Sequence, residues 1–93
     1  MIIGTMIVEG IVFDAQSLKD KRSVLKSIGT RVRQKYNVSI IESNHQDVWQ
    51  RTEWTMVCVG TSKLQVEKEL KRAFTIIDNH SDLEVTGVTW EWL

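Results

Sequence analysis

Ile2-Ile3-Gly4-Thr5-Met6-Ile7-Val8-Glu9-Gly10-Ile11-Val12-Phe13 opens the chain and decides what the rest can build. Most of its residues are β-branched or otherwise suited to strands, and apolar side chains fall on both parities. Met6, Val8 and Val12 share one face; Ile7, Ile11 and Phe13 share the other, with Glu9 among them. A strand with one wet side alternates instead, so this run reads as a central strand covered on both sides. The remaining sequence must supply its sheet neighbours and its cover.

A helix follows. Ser17-x-x-Asp20 is close to a capping box, and Leu18 opens the helical run. Leu18, Leu25, Ile28, Val32 and Tyr36 form an apolar stripe. Gly29 lies beside it, where a missing side chain lets a helix approach a sheet, and Asn37 suits a left-handed stop. Val38 to Ser43 reads as a short strand, Asn44 as the start of a turn, and Trp54 to Gly60 as a longer strand. Ser62-x-x-Gln65 caps a second helix with Val66, Leu70, Ala73, Phe74 and Ile77 on one face and a Glu67–Lys71 pair on its wet side. Leu83 to Leu93 alternates and changes parity at Gly87, which predicts a bulge. The order is β-α-β-β-α-β. With right-handed crossovers it gives an α+β, ferredoxin-like domain spanning residues 1–93, a four-stranded antiparallel sheet with two helices on one face.

Two helices cover one face, so the other parity of the opening strand is left over. Monomers seldom leave such a patch in water, and a homo-oligomer, dimer or higher, is the simplest remedy. The alternative is that Trp90 and Trp92 fold over it.

The chain has 93 residues, 42% hydrophobic and 26% charged, a balance that excludes wholesale disorder. A single cysteine, Cys58 within Met-Val-Cys-Val, excludes an internal disulfide and reads as a buried strand thiol. No apolar run approaches the roughly 20 residues that span a bilayer, and no export signal opens the chain, so a cytoplasmic protein without membrane contact is expected. His45, His80, Cys58 and nearby acids lack metal-ligand spacing, and no phosphate loop or dinucleotide fingerprint is present, so neither metal nor cofactor is expected. Twelve bases balance twelve acids, but the zero is a cancellation. From Ser17 to Tyr36 seven bases face Asp20 alone, a local +6; from Ile76 to Leu93 four acids and no base give −4.

Lys19, Arg22, Lys26 and Arg33 line up along one flank of the first helix's apolar stripe. Lys19, Lys21 and Arg22 also crowd its first turn, where the helix dipole disfavours cations by a few tenths of a kcal/mol each, up to about 1. A local rule broken in this way marks a site. Ser17, Lys19, Lys21, Arg22, Lys26 and Arg33 are therefore candidates for binding nucleic acid or another anion, with Arg51 as an addition; the competing reading is a solvated face, or pairing with acids such as Asp14 or Glu42.

His45-Gln46-Asp47-Val48-Trp49-Gln50-Arg51 is the second constellation. His45 and Asp47 are the residue types of general acid–base chemistry, but a structural turn is the better reading, with Asp47 capping backbone donors, Trp49 plugging the core edge and Arg51 pairing with an acid. No catalytic residue is assigned. RNA-recognition modules share the expected fold, but Trp54 to Gly60 lacks their aromatic pattern. Acylphosphatases carry an arginine where Val8-Glu9-Gly10-Ile11-Val12-Phe13-Asp14 ends in an acid, which excludes that chemistry.

Ser17-Leu18-Lys19-Asp20-Lys21-Arg22-Ser23-Val24, an extended segment ending in Glu42, and Asp47-Val48-Trp49-Gln50-Arg51 together resemble the YlxP-like family of small bacterial proteins, a domain of unknown function. The resemblance runs the length of the chain and implies the same ferredoxin-like fold. In several bacteria members are encoded beside translation-initiation and ribosome-maturation factors, which implies a translation-linked role. It brings no active site, so Glu42, Asp47, Trp49 and Gln50 are motif residues without an assigned role. The expectation is a non-enzymatic domain contacting ribosomal RNA or a ribosome-bound assembly. The alternatives are a homodimeric interaction module and a small phosphoryl-ligand binder or enzyme.

Overall fold

Six elements form in the expected order: β1 (Ile2–Val12), α1 (Leu18–Lys35), β2 (Ser39–Asn44), β3 (Arg51–Gly60), α2 (Lys63–Asp78) and β4 (Leu83–Trp92). This computed structural model describes the whole chain, residues Met1–Leu93. The sheet runs β2-β3-β1-β4 and every pairing is antiparallel, so β1 is central and β2 and β4 are the edges. The architecture is ferredoxin-like α+β.

The buried parity of β1 is Gly4, Met6, Val8, Gly10 and Val12. Met6, Val8 and Val12 join Ile40, Trp54, Met56 and Cys58 of the sheet and Ile28, Val32, Val66, Leu70 and Ile77 of the helices in one core. The opposite face has no layer over it. Ile7 is half-buried by its neighbours, while Ile11, Ile41, Val57 and Val59 are exposed, so the chain itself covers only one side of β1. Trp90 and Trp92 do not supply it either. They pair beside Met6 and Gly4 on the helix side and stack 5.7 Å apart, with the Lys63 ammonium 4.9 Å from the Trp92 ring centre. A Cβ on Gly4 would lie 2.7 Å from Val66 and 2.8 Å from Trp92, so a side chain there would collide with both.

Two strands start or end away from their expected positions, because β3 reaches back to Arg51 and β2 begins at Ser39. Polar Thr52 looks like a loop residue in sequence, yet it is completely buried within β3. The β1–β4 register shifts between Glu9 and Gly10, opposite Gly87 and Val85, which leaves Thr86 as the extra residue and places the bulge at the expected parity change. A second shift, between Glu42 and Asn44, leaves Ser43 extra in β2.

At its start α1 follows its sequence signal: Ser17 Oγ accepts the Asp20 N–H at 3.1 Å, and Asp20 accepts the Gln16 N–H at 3.2 Å. Its end does not. Tyr36 is the cap in an extended conformation, and the two residues with positive φ are Asp14 and His45, not Asn37. The Asn37 N–H instead donates to Glu69 of α2 at 2.9 Å, and Val38 is buried directly afterwards. No helix is long and apolar enough to cross a membrane.

Candidate nucleic-acid interface

Lys21 occupies the apolar stripe of α1 between Leu18 and Leu25, and its side chain is 1% exposed. A buried ammonium requires three acceptors, and it has them. Nζ lies 2.7 Å from Glu42 Oε2, 2.6 Å from the His45 carbonyl and 2.7 Å from the Val48 carbonyl. The Thr52 hydroxyl donates to the same Glu42 oxygen at 2.9 Å. The stretches Ser17–Arg22 and Asp47–Arg51 therefore meet through one side chain. Lys21 fixes the connection between β2 and β3 against the first turn of α1, so it has no proton left for an external phosphate and leaves the set of free cations. Ser17 Oγ accepts the Asp20 N–H as the helix cap and keeps its own O–H proton as a donor.

The remaining bases divide by position. Arg22, Lys26 and Arg33 line a groove of 280 Å³ between α1 and the edge strand β2. Lys19 is exposed on the first turn outside that groove. Arg51 pairs opposite Ile11, the parity that points away from the helices. One Arg33 Nη2 donates to the Ile40 carbonyl at 3.0 Å, which blunts the free edge of β2 against strand addition. Gly29 serves this arginine rather than a close helix–sheet approach: its missing Cβ would sit 3.0 Å from Arg33 Nη1. Glu42 is also in the groove wall, with its charge balanced by Lys21 from behind. Leu25, Ile40, Ile41 and Trp54 complete the wall around Gly29. Trp54 is 3% exposed, and its indole N–H is the one buried side-chain polar atom without a partner.

The segment 45–51 is organised differently from the turn expected of it. Asp47 is exposed and its carboxylate caps no backbone donor. Trp49 is 48% exposed and does not plug the core. Arg51 meets no acid; its Nη2 lies 3.4 Å from His45 Nε2. The backbone, held at two carbonyls by Lys21, carries the structural role, which leaves the side chains of Asp47, Val48 and Trp49 turned to solvent. His45, at φ 65°, brings its ring to the open sheet face, 3.3 Å from Glu9 Oε2. There the Ser43 hydroxyl donates to Glu53 Oε1 at 2.6 Å and accepts from Thr55 at 2.7 Å. The Glu53 carboxyl is held below its ordinary range, first by Ser43, then by hydrogen bonding with Glu9 and by the His45 charge, against the opposing effect of burial.

Cys58 is 4% exposed, and burial, with the Glu69 charge behind it, pushes its thiol up, so the thiolate chemistry of a nucleophile is disfavoured. No group of three or more His, Cys, Asp or Glu is placed to hold a metal ion. Sequence reasoning named Glu42 as an acid for the bases of this helix to pair with, but missed that Lys21 is the base it takes, that Lys21 clamps two loop carbonyls, and that Thr52 also donates to Glu42. The signal was available: residues 18, 21, 25, 28 and 32 share one helical spacing, and a lysine at the second of these is a buried lysine.

A small ferredoxin-like domain with an internal lysine clamp and a basic groove on one helix is the class of protein these features define. A family model described as a protein of unknown function (DUF503) matches residues 3–90, and the chain belongs to that family. It is 48% identical over 91 residues to the uncharacterized protein YlxP of Bacillus subtilis (strain 168), covering 98% of this chain and 99% of that one. Among solved structures the de novo designed protein Foldit4 aligns over 98% of this chain and 97% of its own, with a TM-score of 0.57 and 16% identity, a likeness of fold alone.

Proposed function

We propose that this protein is a non-enzymatic cytoplasmic domain that associates with RNA, in the setting of the ribosome or a ribosome-bound assembly. The observation that carries the reading is the groove between α1 and β2, where Arg22, Lys26 and Arg33 stand together beside the exposed Lys19 of the same helix. Phosphates are the natural ligands of such a cluster, because guanidinium groups grip their oxygens in pairs and clustered cations gain further from counterion release. The half-exposed Trp49, carried on a backbone clamped to the first turn of α1, adds an aromatic surface on which an unpaired base stacks. The setting follows from the translation-linked placement that the YlxP-like resemblance implies. Reversing charge at Lys19, Arg22 and Lys26 together should abolish co-sedimentation with ribosomal particles in a gradient, with folding intact by circular dichroism. Unchanged co-sedimentation overturns the reading.

A second reading, a homodimeric interaction module, is favoured by the position of Trp90 and Trp92. With both on the helix side, Ile11, Ile41, Val57 and Val59 remain on an uncovered sheet face. A second copy of the chain meeting this face would bury them. It predicts self-association that survives high salt and is lost in Val57→Lys/Val59→Lys, as read by sedimentation velocity.

A further inference from the structure

The groove between α1 and β2 has two kinds of lining, and each asks for a different part of a ligand. Arg22, Lys26 and Arg33 supply cations, and Arg33 retains four N–H donors after its bond to the Ile40 carbonyl. The one acid in the wall, Glu42, is neutralised by Lys21 at 2.7 Å and accepts from Thr52, so the groove is positive despite it. Beside these charges lie the half-buried Leu25 and the buried Ile40, while Ile41 meets the groove only along the edge of β2, its parity being that of the open face. Trp54 belongs to the same wall, and its N–H has no acceptor anywhere in the protein. A buried donor left unpaired costs about 1–3 kcal/mol, and this one needs an acceptor that the protein itself does not supply. The size is restrictive as well. At 280 Å³ the groove sits just below the range of about 300–1,000 Å³ typical of small-molecule sites.

We propose that this groove is a binding site for a single phosphorylated ribonucleoside: its phosphate held by Arg22, Lys26 and Arg33, its uncharged part against Leu25, and one of its oxygens accepting the Trp54 N–H. The inference rests on the RNA reading for its ligand class but narrows it to one nucleotide in one place. A free nucleotide and a nucleotide within an RNA strand present the same chemistry. Continuous strand addition at β2 is a poorer fit, because Arg33 already occupies the Ile40 carbonyl on that edge.

The test is a nitrogen–proton NMR titration of the full chain, with the Trp54 indole signal assigned by its loss in Trp54→Phe. The three probes are inorganic phosphate, adenosine monophosphate and a short oligouridylate. Adenosine monophosphate or the oligomer should shift the Trp54 indole and the Gly29 amide in a saturable way, with inorganic phosphate giving a weaker shift. The stronger of the two nucleotide probes identifies the source. Arg22→Glu/Lys26→Glu, two exposed positions outside the core, should weaken the stronger probe by about tenfold or more. If the oligomer binds while the Trp54 indole stays fixed, the groove proposal fails and the RNA reading stands. If adenosine monophosphate moves the indole but neither oligomer nor ribosomal particles bind, the RNA reading fails and the groove stands. If no nucleotide probe moves it, or all three move it equally, the proposal is overturned.

Discussion

His45 joins two polar clusters that use the same chemistry on opposite sides of the sheet. Its carbonyl belongs to the inner cluster, where Lys21 and Thr52 are buried beneath α1 and Glu42 reaches them from the groove wall. Its ring belongs to the outer cluster, where Glu9, Glu53, Ser43 and Arg51 sit at the open face. In the inner cluster each donor has its acceptor at 2.6–2.9 Å, and each proton of the ammonium has one destination. In the outer cluster one atom, His45 Nε2, lies 3.3 Å from Glu9 and 3.4 Å from Arg51. With a proton on Nε2 the ring donates to Glu9, and with Nε2 bare it accepts from Arg51, so both contacts cannot be satisfied together. Burial forces the inner set to be complete, because a buried unpaired charge costs several kcal/mol. Water allows the outer set to remain adaptable and lowers the worth of each contact to about 0–1 kcal/mol.

The largest expected effect comes from breaking the inner cluster. Lys21→Met leaves the Glu42 carboxylate and the carbonyls of His45 and Val48 without their donor. It should cost about 3–5 kcal/mol by urea or thermal denaturation, a large share of the roughly 5–15 kcal/mol available to a domain. Adding Glu42→Leu to Lys21→Met should recover part of the loss, because the buried charge is then gone. A double variant no more stable than the single one would show that the two loop carbonyls, rather than the ion pair, are the main debt. If Lys21→Met is as stable as the wild type, the clamp is not structural.

Thr52 gives an intermediate case. Its hydroxyl is fully buried and donates to a charged acceptor, a class of hydrogen bond worth about 1.5–3 kcal/mol. Thr52→Val keeps the shape and removes the donor, so a loss of about 1.5 kcal/mol or more is expected, read as a shift in urea midpoint at constant slope. Ser43→Ala, which removes the corresponding hydroxyl from Glu53 outside, should cost less than half as much.

The element order was legible because each helix announces its own start: Ser17 and Ser62 both cap as expected, and Gly87 marks the bulge in β4. The uncovered face was only half legible. Apolar residues at both parities of β1 say that two surfaces are dry or should be, and which one receives the helices depends on the crossovers. The site was harder for a different reason. Lys21 could be placed from its spacing, but its acceptors at residues 45 and 48 are backbone carbonyls, which every residue has and no side chain advertises. The side chains of Asp47, Trp49 and Arg51 therefore attracted structural roles that belong to the main chain beneath them.

The smallest effect, and the sharpest probe of the outer cluster, is its response to acid. The folded Glu53 carboxyl is held below its ordinary value, so the folded state favours its ionised form. Its contribution to stability is therefore fully present above the unfolded carboxylate value and is lost as pH falls through the lower folded one. Glu53→Gln should lower the plateau near neutrality slightly toward the acid level, and so flatten the stability–pH profile across that window. His45→Gln should shrink the same feature only slightly, since the Ser43 hydroxyl is the larger cause and the histidine charge the smallest of the favourable ones. If Glu53→Gln leaves both the plateau and the acid limb untouched, the open-face carboxylate contributes nothing to the pH dependence of folding.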